Sequence, residues 1–244
     1  MEKLFMQMYS LRNESSFSDV LQNLAGMGYS GIELAGYNGM SSREMQTVLQ
    51  TVGMEVVGNH ISFHRLKNHL EEEMGFNFTI GNRNLVCPMC KFSTIQEIEV
   101  AANDFIEIGE TCRRNGFQLT YHNHDHEFQE LDGKYLLDIL LELVPEELLG
   151  LELDVFWLQY AKVDPLGYLM RHKSRCTSIH VKDLRNQSDT RNVNLGEGII
   201  DFTTIFNQML PVQYIYERED DGLYPWMQIE AAIAYFSEKK AVGA

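Results

Sequence analysis

Apolar residues fall into short continuous runs separated by longer stretches in which they recur at helical spacing. The first run, Leu4–Ser10, predicts a strand that ends at the polar turn Arg12-Asn13-Glu14-Ser15-Ser16. Phe17, Val20, Leu21, Leu24 and Met27 then share one helical face, and Gly28 stops that helix. Strand two is Gly31–Ala35. The next helix, capped by Ser41 or Ser42, carries Met45, Val48, Leu49 and Val52 on one face and ends at Gly53. Strand three, Glu55–Ile61, brings His60 to its end. A polar helix between Leu66 and Met74 precedes strand four, Asn84–Pro88. One long amphipathic helix runs from Thr94 to Asn115, and Gly116 turns the chain into strand five, Phe117–Tyr121. Helix Tyr135–Val144, strand six Leu149–Trp157 and helix Leu166–His172, opened by Pro165, follow. Strand seven is Thr177–Asp183. A long polar loop leads to helix Phe202–Met209, strand eight Gln213–Arg218 and a closing apolar helix, Ile229–Phe236.

Strict alternation of strand and helix implies parallel strands joined by crossover helices. Eight such units in 244 residues predict an α/β fold, a single closed (β/α)8 TIM barrel over residues 1–244. No Pro-, Gly- or Ser-rich linker divides the chain. A doubly wound open sheet is the structural alternative, but its dinucleotide-binding version lacks a G-x-G-x-x-G after the first strand.

Charge and cysteine usage narrow the partners. Lys and Arg number 20 against 35 Asp and Glu, a formal net charge of -15. That surplus repels polyphosphate backbones and anionic lipid surfaces, so no nucleic acid and no membrane is expected as a partner. No apolar run approaches the span of a bilayer. The stretch Met1–Met6 has neither the basic region nor the cleavage site of a secretory signal. Cys87, Cys90, Cys112 and Cys176 do not make a disulfide framework in a domain of this size, which suits a reducing, cytoplasmic location. Cys87-Pro88-Met89-Cys90 has C-x-x-C spacing without a second pair, so reduced structural thiols are expected there. The composition is compatible with a homo-oligomer.

Potential metal ligands are densest in Tyr121-His122-Asn123-His124-Asp125-His126-Glu127-Phe128. Imidazole nitrogen and carboxylate oxygen together suit borderline divalent cations such as Mn, Co, Fe or Zn. Alone, the tract reads equally well as a solvated turn. Other strand ends change that balance. In a barrel of this kind reacting groups sit at the C-terminal ends of the strands, and alternate residues point inward. Strand five offers His122 and His124, strand six Glu152 and Asp154, strand seven His180 and Lys182, strand eight Glu217 and Glu219. Glu33 on strand two and His60 on strand three arrive at the same end. Six converging polar strand ends predict an active site. Glu152, deeper than Asp154, is expected to brace the site by hydrogen bonds. Phe156 and Trp157 could wall a sugar face. Gly196-Glu197-Gly198 reads as a turn, and Arg185 and Arg191 are candidate anion contacts in the loop after strand seven.

Several motifs taken in order carry a family resemblance. They are Gln7-Met8-Tyr9-Ser10-Leu11-Arg12, Gly28-Tyr29-Ser30-Gly31-Ile32-Glu33, the histidine tract, Leu153-Asp154-Val155-Phe156-Trp157, Ile179-His180-Val181-Lys182-Asp183 and Gly196-Glu197-Gly198-Ile199-Ile200-Asp201. Their order and spacing resemble the sugar phosphate isomerase/epimerase family with the xylose isomerase-like barrel. That group includes ketose epimerases, inosose dehydratases, keto-inositol isomerases and apurinic endonucleases. The resemblance spans nearly the whole chain and implies one divalent metal ion (Mn, Co, Mg, Fe or Zn). Family ligands are a Glu, an Asp, a His and a Glu on strands five to eight. By position they become His122, Asp154, His180 and Glu217, so His122 departs from the family's Glu. In the epimerases two metal-bound glutamates flank the substrate carbon and exchange its proton, and that symmetric pair is absent here.

The implied function is a metal-dependent isomerase or epimerase of a small keto-sugar, sugar phosphate or inositol derivative, acting through an enediolate. Glu217 or a strand-five group (His122, His124 or Glu127) is expected to move the proton. Glu33, His60, Trp157, Lys182 and Arg185 are the expected substrate contacts. Loss of the second glutamate also raises β-elimination, a dehydratase or lyase reaction on a keto-sugar or inosose. A non-catalytic sugar-binding barrel is a further alternative. Nuclease activity through the endonuclease relatives is disfavoured by the acidity of the chain.

Overall fold

The computed structural model describes residues 3–208, 212–219 and 225–242. Eight parallel strands close into a barrel: β1 (Leu4–Gln7), β2 (Gly31–Leu34), β3 (Glu55–His60), β4 (Asn84–Cys87), β5 (Gln118–His122), β6 (Gly150–Asp154), β7 (Cys176–Val181) and β8 (Gln213–Tyr216). Each strand pairs with its sequence neighbours, and β8 closes on β1. The expected (β/α)8 TIM barrel is therefore the observed architecture.

Local sequence explains the surrounding helices. In α1 (Phe17–Met27), Val20, Leu21 and Leu24 are buried, and Gly28 ends the helix with a φ of 100° that disfavours a side chain. Ser41, rather than Ser42, caps α2 (Ser42–Val52) in a capping box with Glu44. The polar stretch after β3 is two helices, α3 (Phe63–Asn68) and α4 (Leu70–Thr79), which meet at His69. Thr94 and Glu97 cap α5 (Ile95–Arg114) in the same reciprocal way as Ser41 and Glu44. Next come α6 (Leu136–Leu143), α7 (Val155–Tyr160), α8 (Pro165–Arg171), α9 (Phe202–Asn207) and α10 (Pro225–Val242). No described helix is long and apolar enough to cross a membrane.

Four boundaries depart from the pattern. The apolar run from Leu4 leaves the sheet at Gln7 and tightens into a 3-10 turn, Met8–Leu11. Strand six stops at Asp154, because its carboxylate caps α7 by accepting from the backbone N–H of Phe156 (2.8 Å) and Trp157 (3.2 Å). The polar loop after β7 contains a hairpin, Asp183–Asn186 with Asp189–Val193. Helix α9 ends at Asn207, and Met209, its expected last residue, lies outside the described residues.

Most apolar side chains fill one core between strands and helices. Phe5, Val57 and Ile215 make a separate small cluster. Phe5 and Ile215 each lie two residues before a polar member of the site, Gln7 and Glu217, so this cluster plugs the lumen beneath it.

Asp183, buried at the start of the hairpin two residues beyond β7, holds the following loop by four backbone N–H groups: Leu184 (2.9 Å), Gly196 (2.9 Å), Gly198 (3.0 Å) and Ile200 (3.3 Å). A Cβ at Gly198 would stand 2.2 Å from Asp183 Oδ1, so glycine is required where the loop wraps the carboxylate. Asp183→Ala leaves these donors without their acceptor and is expected to cost roughly 2–4 kcal/mol. At about 2–4 °C per kcal/mol the loss is readable as a lowered thermal midpoint, and an unchanged midpoint would show that the cradle contributes nothing.

Asp138 ties α6 to α8, accepting from Tyr168 Oη (2.7 Å) and lying 3.1 Å from His172 Nε2. Burial opposes its ionisation, but His172, Tyr168 and Arg171 hold the carboxyl below its ordinary range. A depressed folded value stabilises above the unfolded pKa of about 3.9 and is lost as pH falls through the folded one. The midpoint difference between wild type and Asp138→Asn should accordingly be full at neutral pH and shrink in acid. Persistence of the whole difference at the acid end would refute this origin.

Candidate metal centre

Strand register brings the polar side chains level. Gln7 stands opposite Glu33, and His122 opposite Glu152. Across the next pair Glu152 faces Ser178 and Asp154 faces His180. Glu33, Glu152, Asp154 and His180 are completely buried, and His122, Lys182 and Glu217 nearly so. Glu33 fits its place because Gly58 has no Cβ, which would otherwise lie 2.3 Å from Glu33 Oε1.

His180 is the hub. Its Nε2 lies 2.7 Å from Glu33 Oε2 and 3.1 Å from Glu152 Oε1, while Nδ1 lies 3.2 Å from Glu217 Oε2. Lys182 Nζ stands 3.2 Å from Asp154 Oδ2, 3.3 Å from Glu217 Oε2 and 2.7 Å from Glu219 Oε1. Burial works against charge on both cations, yet the carboxylates outweigh it and raise both pKa values. His60 is likewise raised to about 10 by Glu33 and Glu152 despite burial. His122 goes the other way: burial, with His180 beside it, pushes it well below its ordinary value. Asp154 is pushed up by burial to about 6, with Lys182 acting in the opposite direction.

Among the described residues, His122, Asp154, His180 and Glu217 present donor atoms within 4.8 Å of one another. Two of these side chains have buried atoms that make no hydrogen bond, His122 Nδ1 and Asp154 Oδ2. Asp154 spends Oδ1 on the cap of α7, which turns Oδ2 into the site. Unsatisfied buried donors of this kind, in a set of two imidazoles and two carboxylates, fit a borderline divalent cation.

His124, Trp157 and Lys182 line the side facing β5 and α7. The His124 ring lies 5.1 Å from that of His122 and 5.5 Å from that of Trp157, and its buried Nδ1 makes no hydrogen bond. Burial, then the charge of Lys182, lowers its pKa to about 4. Lys182 Nζ sits 5.0 Å from the Trp157 ring centre.

Two expected site residues stand elsewhere. Glu127 is buried with both oxygens engaged: Oε1 accepts from Tyr121 Oη (2.7 Å) and Oε2 from the His124 backbone N–H (2.9 Å). It holds the strand-five loop in place. Arg185 lies half exposed on the hairpin, 3.5 Å from Asp189, and Arg191 pairs with the same carboxylate at 2.6 Å. Gln7 and Ser178 escaped the sequence reading. Gln7 donates to Glu33 Oε2 (2.7 Å) and Ser178 to Glu152 Oε2 (2.7 Å). Ser178 lies two positions before His180, so alternation along the strand would have found it.

The family model described as xylose isomerase-like TIM barrel matches residues 21–239. An inosose dehydratase from Geobacillus kaustophilus is 25% identical over 248 residues, covering 83% of this chain and 80% of that protein. A sugar phosphate isomerase/epimerase structure from Parabacteroides distasonis superposes with a TM-score of 0.86 at 22% identity, over 98% of this chain and 94% of that one. The structure of the IOLI protein with a binding zinc atom superposes with a TM-score of 0.79 at 13% identity, over 99% of both chains. At such identities the two structures speak for the fold.

Glu127→Gln keeps one acceptor and loses the other, and is expected to cost roughly 1–3 kcal/mol while leaving bound metal at the wild-type level. Thermal melts with metal analysis test this. Loss of metal without loss of stability would make Glu127 a ligand instead.

Proposed function

This chain belongs to the xylose isomerase-like TIM barrel family, and on that premise we propose a divalent-metal-dependent lyase that dehydrates a small keto-polyol of the keto-sugar or inosose class. His122, Asp154, His180 and Glu217 would hold the ion. The observation that carries the reading is an unlike pair: the imidazole of His124, beside the ligand set, and the carboxylate of Glu217 within it. Exchange of a proton between two faces calls for two matched bases, whereas elimination needs one group that takes a proton and gives it back. Curated relatives named inosose dehydratase support the same branch.

An ion held by these residues would supply positive charge that acidifies the carbon between a carbonyl and its neighbouring hydroxyl. His124 receives that carbon's proton at Nδ1, which has no other hydrogen-bond partner. The freed C–H electron pair becomes the new C=C bond as the β C–O bond breaks. The departing hydroxyl takes the proton from His124 and leaves as water. Lys182, fixed by Asp154, Glu217 and Glu219, donates to a substrate oxygen, and Trp157 gives the sugar an apolar wall. Glu217 also favours a second reading. As a proton acceptor within the ligand set it could return the proton elsewhere, which is the isomerase or epimerase chemistry expected from the sequence.

Metal-loaded protein incubated in heavy water with a panel of keto-sugars and inosose, followed by NMR, tests the proposal. Release of water with an unsaturated or dicarbonyl product is expected, abolished by a chelator and restored by added metal. Deuterated isomer without water loss favours the second reading. His124→Asn should lower kcat by about 10²- to 10⁴-fold with metal content unchanged. Absence of both exchange and turnover across the panel would sink the enolising mechanism. Metal retained in both Asp154→Ala and His180→Ala would sink the ligand set.

A further inference from the structure

The indole of Trp157 carries a donor that the fold itself does not use. Its Nε1 is buried and makes no hydrogen bond among the described residues. A buried indole N–H normally finds an acceptor, and one left without it destabilises the fold. Phenylalanine would fill the same place without that penalty. Trp226, the other tryptophan of the chain, follows the usual rule: its Nε1 donates to Glu14 Oε1 at 3.2 Å.

The position of the indole is fixed from several sides. Its backbone N–H donates to Asp154 Oδ1 (3.2 Å), so the carboxylate that turns Oδ2 into the site also seats this residue. The ring lies 5.1 Å from that of Phe156 and 5.3 Å from that of Tyr160. On the side of the site its neighbours are the His124 ring at 5.5 Å and Lys182 Nζ at 5.0 Å. His124 Nδ1 is a second buried nitrogen without a hydrogen bond, so two adjacent rings each offer one uncommitted nitrogen. Lys182 differs from both. Its three protons already meet Asp154, Glu217 and Glu219, and it reaches a ligand only by loosening one of them. Trp157 gives up nothing when it donates.

We propose that Trp157 Nε1–H donates to an uncharged oxygen of the substrate, a ring hydroxyl, and makes the site selective for polyols that carry it. The acceptor is uncharged because Glu33, Glu152, Asp154, Glu217 and Glu219 outnumber Lys182, and a phosphate would add to that excess. Arg185 and Arg191, the cations of the nearby hairpin, are paired with Asp189. A polyol lacking the hydroxyl leaves the indole N–H unpaired, which is how a buried donor rejects a deoxy analogue. The assignment deepens the keto-polyol proposal and rests on a polyol occupying this site.

NMR of the metal-loaded, 15N-labelled protein tests it with inositol and glucitol, reduced polyols that have no carbonyl and do not react. Of the two indole N–H signals, the one missing from Trp157→Phe belongs to Trp157, and saturating polyol should move it downfield in wild type. Calorimetry should show Trp157→Phe binding the polyol roughly 10- to 100-fold more weakly with metal content unchanged. One monodeoxy analogue should bind wild type more weakly by a similar factor and lose nothing further in Trp157→Phe. A Trp157 signal unmoved at saturation, equal affinity in wild type and Trp157→Phe, or no binding by either polyol would each overturn the assignment. A phosphate monoester that binds more tightly than its parent polyol would overturn the uncharged class. The wild-type signal decides the matter even if Trp157→Phe misfolds. Polyol binding with the expected shift, but no turnover of any keto-polyol, would sink the dehydration and leave the donor standing. Turnover with an unmoved signal would do the reverse.

Discussion

Burial of several carboxylates in a closed barrel is the constraint on which the site depends. Glu33, Glu152, Asp154 and Glu217 are withdrawn from water, and an isolated charge there would cost many kcal/mol. The chain meets that cost with cations equally buried. Lys182 reaches Asp154, Glu217 and Glu219, and His180 reaches Glu33, Glu152 and Glu217. Such a network is unforgiving, because removing one partner strands the other. It also fixes geometry, since each carboxylate can turn only toward the cation that neutralises it.

Backbone features supply the remaining rigidity. Asp154 caps α7 with one oxygen, so the turn that ends β6 also sets the direction of the other. Asp183, adjacent to Lys182, gathers four N–H groups and anchors the chain where the lysine leaves the sheet. Glu127 does the same for the loop carrying His124. These supports are side chain to backbone bonds just outside the site, the arrangement by which a scaffold holds reacting groups in place.

Much of this could be read from sequence because each barrel unit obeys a local rule. Alternation marked the strands, caps such as Ser41 and Thr94 marked the helix starts, and a His or Asp ending an apolar strand marked the site. Two strand ends were obscured by the same physics. Met8 and the Val155-Phe156-Trp157 run continue the apolar stretch, and an apolar run cannot by itself distinguish strand from buried helix. Tertiary contact decided the rest. Nothing local shows that Glu127 turns inward to Tyr121, or that Arg185 and Arg191 converge on Asp189. Gln7 and Ser178 carry no charge to advertise them, yet they orient Glu33 and Glu152.

Histidine at position 122 has a consequence for charge as well as for proton transfer. Five carboxylates gather at the site: Glu33, Glu152, Asp154, Glu217 and the less buried Glu219. Lys182 cancels one, leaving four negative charges. Protonated His60 and His180 cancel two of these, whereas a divalent cation held by a neutral His180, beside protonated His60, would cancel three. A glutamate at position 122 would have added a fifth uncompensated charge against the nitrogens that now face Glu152. His122 instead offers a neutral donor beside Asp154, His180 and Glu217. Histidine at this position thus keeps a donor atom in the cluster without adding to its negative charge.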